Sequence, residues 1–298
     1  VWRIRRPVPE PEVVSQVADL MRKAKRPLIV TGGGTLYSEA SKELAAFAQT
    51  FGIPVGESQG GKGALPWNHP MNVGAIGSTG GTAANRLAKD ADLVIAVGTR
   101  LGDFVTASKT AFHNPEVRFV GLNVVPFDAG KLNGVSLVAD ARRGLGALQT
   151  ALQGFKGTSP AYRREVAKLK AEWDGLVSQY RTPQPGKKEM AQAEVIGLAN
   201  EVFGGKATVI CAAGSLPGDL LKLWRCEDPR AYHLEYGFSC MGYEIPAGLG
   251  VKMAEPGREV VVFVGDGTYL MANSEIVTAV AEGLDFTLLL IDNRAFGS

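Results

Sequence analysis

The chain has 298 residues, a formal net charge of +2, 45% hydrophobic and 21% charged residues, the profile of an ordinary globular protein of about two domains. Lys and Arg are scattered apart from RIRR (3–6) and Arg142-Arg143, so nothing favours a nucleic-acid backbone as partner. Three cysteines (Cys211, Cys226, Cys240) without a Cys-x-x-Cys pair argue against a disulfide scaffold and for reduced thiols; no apolar run approaches the length of a membrane span, and a cytoplasmic location is expected.

Residues 11–24 (PEVVSQVADLMRKA) carry the apolar period of a helix. RPLIVTGGG (26–34) reads as a strand running into three glycines. An amphipathic helix follows over 38–52, ending at Gly52, and then a strand over 53–58. The stretch 58–81 is rich in Gly and Pro and reads as a loop. Next come a helix over 82–91, strands over 92–101 and 117–124, a short strand over 135–140 and a helix over 142–154. Strands alternating with helices at this spacing predict an α/β fold with a parallel, Rossmann-like sheet. A charged helix (161–181) and the string TPQPGKK lead into a second α/β domain. The expected boundaries are a central Rossmann-like domain at 1–155, a helix and linker at 156–188, and a second domain at 189–298.

The second domain holds the chemistry. An opening helix (191–205) leads to ATVICAAGSLPGDL (207–220), a strand entering a turn and a helix start. VVVFV (260–264) ends at Gly265-Asp266-Gly267, and FTLLLI (286–291) ends at Asp292-Asn293, with a helix expected over Met271–Glu282 between them. A strand–helix–strand unit of parallel strands has a right-handed crossover. Both motifs therefore leave the same carboxyl edge of one sheet, where open α/β sheets bind ligands. Asp266 and Asn293 can converge on one hard cation there. The amides of Gly267 and Thr268 lie at the start of a helix, which favours anions. Together these features suggest a metal–diphosphate site.

GDG, roughly two dozen residues and then an Asn-containing pair resembles the signature of the thiamine-diphosphate enzymes. The resemblance implies Mg²⁺ held by the side chains of Asp266 and Asn293 and by the main-chain carbonyl of Ala295, with the cofactor diphosphate completing most of the octahedron. The family's commonest pair is Asn-Asn; Asp292 departs from it and leaves Asn293 in place. EYGFSCMGYEIPAGLGVKMA (235–254) resembles the block that precedes GDG in the family. It implies that Met241 wedges between the two cofactor rings and that the Ser239 carbonyl accepts a hydrogen bond from the aminopyrimidine. Gly214-Ser215 falls at the diphosphate end by the same match, although many relatives carry Gln-His after that Gly and this chain has Ser215-Leu216.

EYGFSCMGYEIPAG, GDGTYLMANSEI and DNRAFGS resemble the inositol-catabolic branch, hydrolases that open a cyclic 1,2-diketone by carbon–carbon cleavage, more than the acetolactate synthases. The implied cofactors are thiamine diphosphate and Mg²⁺. The implied partners are a small-molecule substrate and further copies of the full-length enzyme. An acetolactate synthase-like acyl transferase remains the alternative activity, and a non-catalytic structural fragment the alternative of another class.

In this family an amino-terminal domain supplies the catalytic Glu, and no segment here matches it; no catalytic residue is therefore assigned, and the second domain is expected to be truncated. Gly32-Gly33-Gly34 does not complete a Gly-x-Gly-x-x-Gly pattern, because position 37 is Tyr37, and a structural role is expected for it. His69, His113 and His233 are dispersed and predict no zinc site. His69 reads as a surface-loop residue; His233, just ahead of EYGF, reads as a structural one, with a place in the substrate cavity as the alternative. Residues 1–298 alone are expected to be inactive in a thiamine-dependent turnover assay; measurable turnover would refute the fragment reading.

Overall fold

Five residues, Pro27–Thr31, form β1, which is buried along its whole length. A strand buried on both faces belongs to a parallel sheet covered by helices. The computed structural model describes residues 4–186, 188–235 and 237–294, and the chain forms two compact units, 1–176 and 177–298. The division falls inside a long helix rather than at the Pro/Gly/Lys string.

In the first unit, α1 (Pro11–Lys23) precedes β1, and α2 (Gly33–Tyr37) and α3 (Ser41–Phe51) lead to β2 (Val55–Glu57). Then follow β3 (Asn72–Ala75), α4 (Thr82–Lys89), β4 (Leu93–Val97), α5 (Asp103–Thr106), β5 (Arg118–Asn123), α6 (Pro126–Ala129), β6 (Val135–Val138), α7 (Ala141–Ala151) and α8 (Pro160–Arg181). The sheet order is β3-β2-β1-β4-β5-β6, every pairing is parallel, and the order reverses between β1 and β4. Gly52 ends α3 at φ 63°, a left-handed conformation that only glycine adopts without strain.

The expected loop at 58–81 contains β3, which the sequence reading missed. The strand is short, Gly74 within it has φ 79°, and its register with β2 shifts between Val55 and Glu57. No apolar alternation therefore develops to signal it. Glu57 is buried at the end of β2, where its carboxylate accepts from the Gly63 amide at 3.0 Å and Asn72 Nδ2 at 3.2 Å. Burial raises its pKa and nearby Lys62 opposes that rise.

One core cluster of this unit gathers Val17 and Met21 of α1, Leu44 and Phe47 of α3, and Leu145 and Leu148 of α7 over the sheet. α8 is tied to the unit by Tyr162, whose hydroxyl donates to the Pro27 carbonyl at 3.1 Å. Glu165 adds a two-pronged pairing with Arg26 at 2.7 and 2.8 Å.

The second unit runs α9 (Gln192–Phe203), β7 (Thr208–Cys211), α10 (Leu216–Leu223), β8 (Tyr232–Leu234), α11 (Glu244–Ala254), β9 (Val260–Gly265), α12 (Asp266–Ala272), α13 (Glu275–Ala281) and β10 (Thr287–Ile291). Its sheet is also parallel, in the order β10-β9-β7-β8. Val260–Val264 of β9 is buried throughout, and Val260 and Val262 pack with Ile210 and Ile245.

The single helix expected over Met271–Glu282 is instead two. α12 begins at Asp266 itself, and the chain breaks at Asn273-Ser274 before α13. Asn273 and Ser274 keep right-handed backbone angles there, and the amides of Ile276 and Val277 reach back only three residues, to the carbonyls of Asn273 and Ser274 at 3.1 and 2.9 Å. Among the described residues no helix is long and apolar enough to cross a membrane.

Phe47 is 1% exposed and meets Phe51 edge-on at 4.9 Å. Phe47→Ala is expected to cost about 3–5 kcal/mol in chemical denaturation. Tyr37→Ala, at a side chain 83% exposed, should stay within about 0.5 kcal/mol.

Candidate cofactor site

From β7 the chain moves outward to β8 and then returns across the sheet to β9 and β10. The loops after β7 and β9 therefore diverge, and a crevice opens between them at the carboxyl edge. The crevice is a cavity of about 260 Å³. Its walls come from the turn after β7 (Ala213, Gly214, Ser215), the loop after β8 (Ser239, Met241), the residues closing β9 (Gly265, Asp266) and the end of β10 (Ile291, Asn293).

Gly267 and Thr268, in the first turn of α12, complete the β9 wall. A helix's first amides have no partner within the helix, so these two lie where an anion would meet them. The parallel register pairs Gly265 with Ile291; Asp266 and Asn293 thus leave adjacent strands at nearly the same height. Gly214 has φ 80°, and a Cβ at either Gly214 or Gly265 would meet nothing within 4 Å. The space beside both glycines is open.

All nine residues expected around a cofactor thus line one cavity: Gly214, Ser215, Ser239, Met241, Gly265, Asp266, Gly267, Thr268 and Asn293. Ala295, the expected third metal ligand, lies outside the described residues. Asp292, which departs from the family pattern, accepts from the Arg294 amide at 3.0 Å. It closes a turn around Asn293, an Asx role that Asn fills equally well. Among the described residues no group of three His, Cys, Asp or Glu could hold a metal; the cavity instead offers the carboxylate of Asp266 beside the side-chain amide of Asn293.

Sequence reasoning missed Gln192, which also lines the cavity. Its amide donates to Asp219 at 2.7 Å and reaches Ser215 Oγ at 3.4 Å. It starts α9 far upstream of the motifs, and only folding reveals its place. His69 is structural, its Nδ1 accepting from the Met71 amide at 3.2 Å. His233 sits at β8, with Nε2 2.7 Å from the Tyr243 hydroxyl and the two rings stacked at 5.9 Å. It does not line the cavity, and burial holds its pKa below the ordinary 6.5.

The thiamine pyrophosphate enzyme central domain family matches residues 14–148, and the thiamine pyrophosphate enzyme C-terminal TPP binding domain family matches residues 212–298. The chain belongs to the thiamine pyrophosphate enzymes. Over its whole length it is 42% identical to 3D-(3,5/4)-trihydroxycyclohexane-1,2-dione hydrolase of Clostridium tetani (strain Massachusetts / E88), of which it covers 50%. It is 43% identical to the protein of that name from Geobacillus thermodenitrificans (strain NG80-2), covering 49% of it. The chain spans about half the length of the curated relatives it matches. The second matched region contains the whole cavity lining except Gln192.

The depressed pKa of His233 has a signed consequence. The unfolded chain takes up the proton first, so the stabilisation is full above about pH 6.5 and is lost as pH falls through the lowered folded value. The unfolding free energy should therefore decline as pH falls below about 6.5, and His233→Asn should remove part of that decline in urea titrations.

Proposed function

We propose that this cavity binds thiamine diphosphate and Mg²⁺, and that the full-length protein hydrolyses a carbon–carbon bond of a cyclic 1,2-diketone, trihydroxycyclohexanedione, to 5-deoxy-glucuronate. The observation that carries the reading is the meeting of four loop ends at one strand-order reversal, with hard oxygen donors beside open glycines. The names of the relatives support the substrate.

The donor set suits the cation. A carboxylate and an amide carbonyl are oxygen ligands, and Mg²⁺ takes few of these from protein while relying on phosphate oxygens and water for the rest. Asp266 and Asn293 would hold it, with the Ala295 carbonyl as the third protein ligand. Gly214 and Gly265 leave room for the diphosphate, and the amides of Gly267 and Thr268 would neutralise its remaining charge. Ser215 adds a hydroxyl at that end.

Met241 would fill the space between the two rings, a task suited to an unbranched side chain. The Ser239 carbonyl would accept from the amino group of the pyrimidine and so orient it. When bound, the cofactor supplies a nucleophilic carbon and an electron sink for the bond that breaks. These residues would position it. We place the full-length protein in the cytoplasm as a homo-oligomer acting on a small molecule.

Calorimetric titration of the full-length protein with thiamine diphosphate in the presence of Mg²⁺ tests the site. Asp266→Ala and Asn293→Ala should each weaken binding by more than about a hundredfold, beyond the loss typical when only a residue supporting a ligand is changed. Unchanged affinity in both variants would sink the assignment. Turnover of the cyclic diketone supports the proposed activity, whereas conversion of pyruvate in its place would favour an acetolactate synthase-like reaction.

A further inference from the structure

Two carboxylates outside the cavity lining hold the loops that form it. The loop after β8 bears Ser239 and Met241, and Ser239 has φ 53°, a left-handed conformation disfavoured for any residue with a Cβ. Something must hold it there. Glu235 Oε1 accepts from the Phe238 amide at 3.2 Å, and its Oε2 accepts from the Cys240 amide at 2.8 Å. The two bonds straddle Ser239.

Glu244, the first residue of α11, is 1% exposed. Its Oε1 accepts from the Ala213 amide at 3.2 Å, and its Oε2 accepts from the Gly242 amide at 3.1 Å. One side chain thus fastens the turn after β7 to the loop after β8. Of the two anchored amides, that of Ala213 belongs to the cavity wall itself, and that of Gly242 is one residue from Met241 on the opposite wall.

We infer that Glu235 and Glu244 are positioning residues, Glu244 holding the two ends of the cofactor cavity at binding distance from each other and Glu235 fixing the loop at the ring end. The inference rests on the cavity reading of the preceding subsection. A carboxylate is the side chain the task needs, because both its oxygens only accept. It can therefore bind an N–H of each loop at once. Glutamine has nearly the same shape but one accepting oxygen, and its NH₂ would face the second N–H. Burying a carboxylate costs a great deal when its oxygens lack partners. Burial raises the pKa of Glu244, and the amides of Ala213 and Gly242 counter that rise.

The two residues are separable. Glu244 touches both the turn bearing Gly214, at the diphosphate end, and the loop bearing Met241, at the ring end. Glu235 touches the ring-end loop alone. The probes are thiamine diphosphate and inorganic diphosphate, titrated with Mg²⁺ into the full-length protein and its Glu235→Gln and Glu244→Gln variants.

Glu244→Gln should weaken both ligands by about tenfold or more, the scale of one lost charge-assisted hydrogen bond. Glu235→Gln should weaken thiamine diphosphate by a similar factor and leave inorganic diphosphate unchanged. A purely structural role would not separate the two ligands, so equal weakening of both by Glu235→Gln overturns the inference. Unaltered binding of both ligands by both variants overturns it too. Glu235 is only half-buried, and its variant keeps the test decisive should Glu244→Gln fail to fold. Failure of the unaltered protein to bind thiamine diphosphate would instead remove the cavity reading, and the inference with it.

Discussion

The second unit depends on one topological constraint. β7 has a neighbour on each side, and the chain reaches β8 first and β9 afterwards. Because every strand is parallel, all the connecting loops that matter exit at one edge, and those after β7 and β9 must part company there. The cavity is the space they leave. Pairing of Gly265 with Ile291 then sets Asp266 and Asn293 on neighbouring strands at a common height. A register slip of one residue would turn alternate side chains to the opposite face and would separate the pair. The unbroken burial of Val260–Val264 makes such a slip costly, since each of the five side chains would have to repack in an interior shaped around its neighbour. The apolar strand therefore does more than fill the core: it fixes where Asp266 and Asn293 can meet.

The loop after β8 has a different physical basis. Its described residues form no strand ladder, hold positive φ at Gly237, Ser239 and Gly242, and expose Phe238 at 90%. Side chains do there what strand pairing does elsewhere. Glu235 and Glu244 take up loop amides, and the Tyr243 hydroxyl meets His233 at the end of β8. The loop is thus fixed from both its flanks while its central residues stay available to a ligand. Such a division suits a binding site, since backbone order comes from groups that need not touch what is bound.

Much of this was legible in the sequence because strand ends and motifs coincide. VVVFV ends at GDG and FTLLLI ends at Asp292-Asn293, so the placement of Asp266 and Asn293 at one edge follows from parallel crossover alone. Other parts had no local signal. β3 carries Gly74 at positive φ and a shifted register, so neither alternation nor an apolar run marks it. The break at Asn273-Ser274 sits within an otherwise helical period. Gln192 reaches the cavity from the start of α9, and no spacing rule links it to residues so distant in the chain. Glu244 is disguised in another way. An acidic residue in a first helical turn is ordinary, and nothing in the sequence distinguishes one that caps its own helix from one that grips a separate loop. Asp292 shows the reverse case. It departs from the family's commonest residue, yet its carboxylate forms the turn bond to Arg294 that an Asn would form, so the change in residue leaves the local geometry served.

The two units differ in strand order but share one feature, and they use their glycines in opposite ways. Each sheet reverses its strand order once, between β1 and β4 in the first and between β7 and β9 in the second. In the first, the glycines bring backbones together. The Gly34 amide donates to the Gly98 carbonyl at 2.9 Å, and a Cβ on Gly32 would lie 2.4 Å from that same oxygen. Any side chain there would force the loops apart. In the second, Gly214 and Gly265 face open space, with no atom within 4 Å of where a Cβ would stand. The same residue type therefore seals one crevice and holds the other open. What decides between these uses is the opposing loop: backbone of Gly98 and Thr99 fills the first, whereas the polar ends of β9 and β10 stand back from the second and present Asp266 and Asn293 to it. A glycine-rich strand end thus predicts close approach of something to the backbone, and the residue facing it determines whether that is another stretch of the chain or a ligand.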